Sequence, residues 1–336
     1  MIPWALEGQT YYFVIDTGSP RCVLDDHVFP HLRERNTQDT ISHSGQAREV
    51  RCDPPDIVVG PIRFASLKEI VKLDCTLLSQ VFGRPVAGII GMDALQEFVV
   101  QFNFDDGWFR LLKPELGPHD DWGMKVSLAV TSMLRSVRAT IDGQPADFIV
   151  DSGDSSDGFL PDWWVDRMAK TSKTVTQEAV TFTGTSKYRL VRAKECGLAD
   201  NHHPNLLLSE SKMRRPGLGI RFIGQYVATF DFPNNVVYLK RGKRFGIADE
   251  YTMSGMHLEW TTGAIKVRNV DEGTPAAAAG VKAGDVVLQL NELKAGKCEI
   301  EDLRDELCSG DGNQVRLRFR RDGEIRDVEF RLKRSL

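Results

Sequence analysis

An internal duplication marked by two acids constrains this chain more than any other feature. Phe13-Val14-Ile15-Asp16-Thr17-Gly18 returns as Phe148-Ile149-Val150-Asp151-Ser152-Gly153, 135 residues later (151 − 16). The register holds upstream, where Gly8-Gln9 precedes the first acid by the interval at which Gly143-Gln144 precedes the second. Each copy predicts a turn at Gly-Gln, an apolar strand, and an acid delivered into a loop whose glycine permits tight backbone geometry. The far end repeats too. Gly88-Ile89-Ile90-Gly91 leads to an apolar run at 99–104, and Pro216-Gly217-Leu218-Gly219 leads to another at 227–232. Here the spacing is 128 (219 − 91), so the second copy carries a shorter loop. Both tails then turn, at Asp106-Gly107 and Asn234-Asn235, into a further apolar strand at 108–112 and 236–239. A repeat that persists at both ends of such a unit predicts a duplicated lobe. Two lobes related in this way bring two carboxylates face to face across a pseudo-two-fold axis.

Apolar-apolar-Asp-Thr/Ser-Gly, followed near the lobe's end by apolar-apolar-Gly, resembles the aspartic peptidases of the pepsin and retropepsin type. The lobes are close in size to a retroviral protease subunit. The resemblance implies an all-β, two-lobed acid-protease fold in a single chain, covering residues 1 to about 240. It assigns catalysis to Asp16 and Asp151, with loop support from Thr17, Gly18, Ser19, Ser152, Gly153 and Asp154. Ile90-Gly91 and Leu218-Gly219 are the structural motifs beneath which the acid loops pack, and Thr17 and Ser152 are expected to hydrogen-bond across the lobe interface. Asp154 departs from the pattern, because the family keeps a small Ser, Thr or Ala there. A third carboxylate beside the pair, if ionised, is expected to move activity toward neutral pH or weaken it. Tyr188, in the stretch 184–190, and Gly45, in the matching stretch of the first lobe, both lie in candidate covering hairpins.

A third unit follows the basic linker Arg241-Gly242-Lys243-Arg244. Strands are expected at 264–270 and 286–290, and a short helix after Thr274-Pro275. A second helix over 299–308 should carry Leu303 and Leu307 on one face and stop at Gly310. A hairpin turns at Asp322-Gly323, its charged positions Arg316, Arg318 and Arg320 facing outward. Thr-Pro-Ala, Ala-Gly-Val, Ala-Gly-Asp and an apolar strand ending at Asn291 resemble a bacterial PDZ domain over roughly 250–336, a β-sandwich or partly open barrel with a helix. Gly255-Met256-His257-Leu258 falls where that family keeps its carboxylate-binding loop, with His257 in place of the usual small residue. The resemblance implies a C-terminal peptide ligand that pairs as an added strand. The expected domains are therefore 1–115, 116–242 and 243–336.

The 336 residues are about two domains' worth. A net charge of −4 gives no electrostatic case for nucleic acid or an anionic membrane, and no apolar run approaches the ~20 residues of a span. No secretory leader is legible, which makes the cytoplasm the default compartment, or the periplasm or outside if the N-terminus is incomplete. Six cysteines without CxxC spacing read as free thiols. Neither a cofactor nor a metal is expected. Asp151, Asp154 and Asp157 suggest a calcium loop, but Gly153 and Ser155 occupy positions that an EF-hand fills with oxygen ligands, which argues against a metal there. His202-His203 reads as a solvated loop and Trp163-Trp164 as the core face of a short helix. A lone Asp-Ser-Gly is usually only a turn; two in register are not. The expectation is an aspartic-type endopeptidase acting on polypeptides, with the PDZ domain recruiting or regulating substrates. The alternative is a catalytically weak or inactive peptide-binding adaptor using the same cleft and groove.

Overall fold

A computed structural model describes the chain except residues 7, 43–44, 115–118, 182–183, 248–250, 262 and 335. It divides into two compact units, Met1–Cys75 with Ala87–Asp249, and Thr76–Val86 with Glu250–Leu336. The expected boundary at 115/116 lies outside the described residues. The sequence reading assigns 76–86 to the first lobe; by its contacts the segment groups with the C-terminal residues instead.

The first unit is built almost wholly from strands, and the duplication is visible in their order. One sheet runs Ile2–Leu6, Gln9–Ile15, Val86–Ile90, Val23–Asp25, Ile70–Leu73, Gly45–Cys52 and Glu34–Ser42. A second sheet repeats that sequence of positions with Leu134–Ile141, Gln144–Val150, Gly217–Leu218, Gly158–Pro161, Leu207–Ser211, Gly184–Arg192 and Thr174–Thr181. Register agrees to the residue: Ile2 faces Phe13 as Val137 faces Phe148. Both acid-bearing strands begin exposed and end with three buried residues. Each enters the lobe interior at that end, where apolar side chains on both faces find neighbours.

A third sheet joins the lobes in the order Trp108–Leu112, Val99–Asn103, Tyr226–Asp231, Val236–Arg241 and Met124–Ser127. Its central pairing runs from Val99 opposite Asp231 to Phe102 opposite Ala228, so each lobe ends in the other's hydrogen bonds. Phe102, Phe230 and Phe232 are buried there within a single apolar core that takes residues from both copies.

Two expectations of detail are corrected. The helix Asp162–Met168 forms after Pro161, yet of its two tryptophans Trp164 alone joins the core, with Val165 and Met168, while Trp163 is 54% exposed. Consecutive helical positions point about 100° apart, so one face cannot bury both indoles. His203 is fully buried, not solvated, whereas its neighbour His202 lies on the surface beside Glu195. The strand Asn201–Pro204 alternates its faces, which sends the two imidazoles in opposite directions.

In the second unit one sheet runs Met256–Thr261, Ala264–Val270, Val286–Leu290, Gln314–Arg321 and Glu324–Arg331. Asp322 and Gly323 turn the last hairpin, both with positive φ as a two-residue turn of that hand requires. The helix Ile300–Glu306 buries Ile300 and Leu303, with Leu307 just beyond it, and starts at a capping box between Glu299 and Asp302. The six cysteines are thiols, not disulfides. Burial pushes those of Cys22 and Cys196 up, the latter to about 12. A thiol so held is a poor nucleophile. No helix among the described residues is long and apolar enough to cross a membrane.

Candidate active site and peptide groove

The two acid loops meet within the first unit. Thr17 and Ser152 exchange hydrogen bonds: the Thr17 amide donates to Ser152 Oγ at 3.0 Å, and the Ser152 amide to Thr17 Oγ1 at 3.0 Å. Each hydroxyl donates in turn to a backbone carbonyl of the opposite strand, Thr17 to Val150 at 2.7 Å and Ser152 to Ile15 at 2.8 Å. Four bonds among buried groups fix the two strand ends against each other. Water cannot replace them cheaply at such a depth.

That fixing decides where the carboxylates go. A Cβ built on Gly18 would lie 2.2 Å from Asp151 Cγ, and one on Gly153 would lie 2.4 Å from Asp16 Cγ. Each acid therefore occupies the space over the other loop's glycine, and no side chain fits there. Asp16 Oδ1 accepts the amides of Gly18 and Ser19, at 2.8 and 3.0 Å. Asp151 Oδ1 accepts those of Gly153 and Asp154, both at 3.0 Å. In each carboxylate one oxygen is thus anchored by two backbone donors, while the pair is held close. Asp16 is half-buried and Asp151 buried, so the site is not fully symmetric in its access to solvent.

The apolar-Gly motifs pack against the acid loops. Ile90 O accepts the Asp16 amide at 3.0 Å and Leu218 O the Asp151 amide at 2.9 Å. Gly91 and Gly219 then open short helices, where a Cβ would meet the carbonyls of Arg21 and Ser156 at 2.3 Å. Ser19 and Asp154 are equivalent in this frame, because their carbonyls receive the amides of Met92 and Ile220 at 2.8 Å. Ser19 Oγ closes its own turn onto Arg21 O. Asp154 does the same with its carboxylate, accepting from the Ser156 hydroxyl at 2.9 and 3.0 Å and the Ser156 amide at 3.2 Å. The acid that breaks the sequence pattern is thus bonded within its own turn.

Each lobe carries a long hairpin at the edge of its sheet, Glu34–Ser42 with Gly45–Cys52 and Thr174–Thr181 with Gly184–Arg192. Gly45 and Tyr188 lie in them. Ile41, on the first hairpin, lines a cavity of about 240 Å³ together with Leu134, Ile149 and Met213 of the second lobe, with Arg214 and Arg215 at its edge. Ile149 lies two residues before Asp151 on its strand, and neither acid is itself among the lining residues. Sequence reasoning missed Ile41. Its one signal is an apolar residue in the otherwise polar strand Glu34–Ser42.

Among the described residues, Asp25, Asp26, His27 and Asp74 place oxygen and nitrogen atoms within 4.8 Å of one another, a spacing a cation could use. The Asp25 carboxylate is already engaged by the amides of His27, Val28 and Cys75. Asp157 is buried and accepts the Leu207 amide at 2.9 Å.

In the second unit Gly255 has φ +75°, and a Cβ there would meet Thr274 Oγ1 at 2.3 Å. Met256 and Leu258 are buried, and His257 bonds Asp271 Oδ2 through Nε2 at 2.8 Å, which turns the imidazole onto the next strand's end. Met256–Thr261 is an edge strand, with the helix Ile300–Glu306 beside it.

A PDZ-domain family model matches residues 216–332, and the chain carries a C-terminal PDZ domain. A curated relative, the serine protease Do-like HtrA of Lactococcus lactis subsp. lactis (strain IL1403), is 28% identical over 138 residues. The match takes in 39% of this chain and 27% of that protein, so the chain spans about a quarter of its relative's length. Among solved structures, a retropepsin-like aspartic protease from Rickettsia conorii is similar at a TM-score of 0.29 and 14% identity. That similarity covers 34% of this chain and 88% of the other and is too slight to bear on the fold.

Proposed function

We propose that the chain is an aspartic-type endopeptidase whose PDZ domain binds peptide segments of its substrates. The observation that carries this reading is the reciprocal seating of Asp16 and Asp151, each over the other's loop glycine and each with one oxygen anchored by two amides. Two carboxylates held so close cannot both ionise cheaply, so they share a proton. The ionised partner takes a proton from a water held between them, and that water attacks the scissile carbonyl. The protonated partner donates to the carbonyl oxygen and stabilises the developing oxyanion. As the tetrahedral intermediate collapses, the proton taken from water passes to the leaving nitrogen. Which acid begins protonated is a property of the coupled pair.

The cavity closed by Ile41 suits one apolar substrate side chain, and its arginine edge favours acidic neighbours. This makes Glu34–Ser42 with Gly45–Cys52 the covering hairpin of the proposal. An extended substrate would lie under it, so exposed or unfolded segments are the preferred substrates.

The test is cleavage of a fluorogenic peptide library by the wild type, Asp16→Asn and Asp151→Asn. Removing either partner of an acid–base pair should lower turnover by at least ~10²-fold. Equal turnover in the three proteins would remove the acid pair from the mechanism, and no cleavage by any of them would leave the peptide-binding adaptor as the better reading.

A further inference from the structure

We infer that Thr76–Val86 is a built-in occupant of the PDZ peptide groove, which external peptides must displace. The inference rests on reading the edge strand Met256–Thr261 and the helix Ile300–Glu306 as the walls of that groove. Strand Met256–Thr261 ends its sheet, and an edge of this kind is where a peptide strand adds. In this protein the helix Thr76–Phe82 lies beside that strand, and Gly83 follows with φ +65°. A Cβ on Gly83 would be 3.6 Å from Trp260 Cβ on the strand and 3.1 Å from Ile300 Cγ2 on the groove helix. The turn after the helix is thus held between the two walls. Next to it the Arg84 guanidinium pairs with Glu299 at 2.9 Å, at the residue that caps the groove helix.

A second closure lies further along. Arg304 Nη2 donates to Leu258 O at 2.8 Å, bridging from helix to strand and using a backbone acceptor of the edge strand. The occupant itself is helical. It contributes side-chain contact and the ion pair of Arg84, where an added strand would contribute a row of main-chain hydrogen bonds. A peptide carrying a free C-terminal carboxylate can therefore replace it. The segment nevertheless competes at the high effective concentration of a tethered ligand.

The experiment uses the full chain with Cys298 and Cys308 replaced by Ser, carrying Gly83→Cys and Ile300→Cys. The Cβ positions are 3.8 Å apart, the spacing of a disulfide. Oxidation should form the cross-link, seen by intact mass and reversed by dithiothreitol. The probe is a fluorescein-labelled decapeptide pool randomised at its last four residues, with an amidated pool as control. The reduced protein should bind the free-carboxylate pool, and the oxidised protein should bind it about tenfold more weakly. Arg84→Glu, which sets two carboxylates against each other, should bind about threefold tighter than wild type. Failure of the cross-link to form in protein whose melt is unchanged overturns the inference, as does equal binding by the two redox forms. If neither the wild type, the reduced pair nor Arg84→Glu binds the pool, the peptide-binding reading of the groove falls and takes the inference with it. Binding that ignores the lock removes the inference alone.

Discussion

Residue by residue, the acid loops show how much depends on atoms that do no chemistry. Thr17→Val deletes a hydroxyl that receives one buried amide and donates to one buried carbonyl, so it should destabilise the protein by ~1–3 kcal/mol in urea melts. Gly153→Ala should fold but lose cleavage, because its methyl group would displace the Asp16 carboxylate. Asp154→Ser removes a carboxylate whose charge the Ser156 donors favour and do not cancel, so the pH–rate profile of cleavage should move toward lower pH; an unmoved optimum would show that it does not act on the pair. The pattern of the acids was legible in the sequence because duplication fixed which residues correspond. The orientation of Asp154 was not, because side-chain direction within a turn depends on the hydroxyl two residues on.

His203 adds a residue-scale consequence of burial. Its Nδ1 donates to Gln225 Oε1 at 2.8 Å, an oxygen that also accepts the Gly246 amide, which leaves Nε2 to accept the Tyr226 hydroxyl at 2.6 Å. Both bonds suit the neutral ring, and burial holds its pKa below the usual value. The unfolded chain titrates this group near ~6.5 and so binds a proton first as pH falls. Stability from this site is therefore full above pH ~6.5 and is lost on going down toward the lowered folded value. Thermal melts at pH 7 and pH 5 should show a falling midpoint in the wild type and a smaller fall in His203→Gln.

At the scale of elements, period and capping carried the reading further than packing did. The strands Ala264–Val270 and Val286–Leu290 and the hairpin turn at Asp322-Gly323 followed from alternation and turn chemistry alone. The helix after Pro161 was legible too, but not which tryptophan it buries, since that depends on the angle at which the helix meets its sheet. Trp164→Ala should cost ~3–5 kcal/mol and Trp163→Ala under ~0.5, compared by chemical denaturation. Thr76–Phe82 gave no sign in the sequence of grouping away from its lobe, because its half-buried side chains form too short a pattern to show where they pack.

For the whole molecule, the repeat foretold two copies but not how they are joined. The joining sheet follows from a register that no local pattern encodes, Val99 opposite Asp231. A fragment ending at residue 112 would expose the free edge of Val99–Asn103 and the apolar faces of Phe102 and Val100. It should lack near-UV circular dichroism and a cooperative melt, and should recover both when mixed with residues 119–336.

Because the halves are stitched through that common sheet, the acid pair never has to be assembled by encounter. Specific activity should stay constant on dilution into the picomolar range, where an enzyme built from two separate subunits would fall apart and fade. Covalent fusion also frees the halves from being identical. A serine in one turn can become an aspartate in the other without the change being copied across the axis.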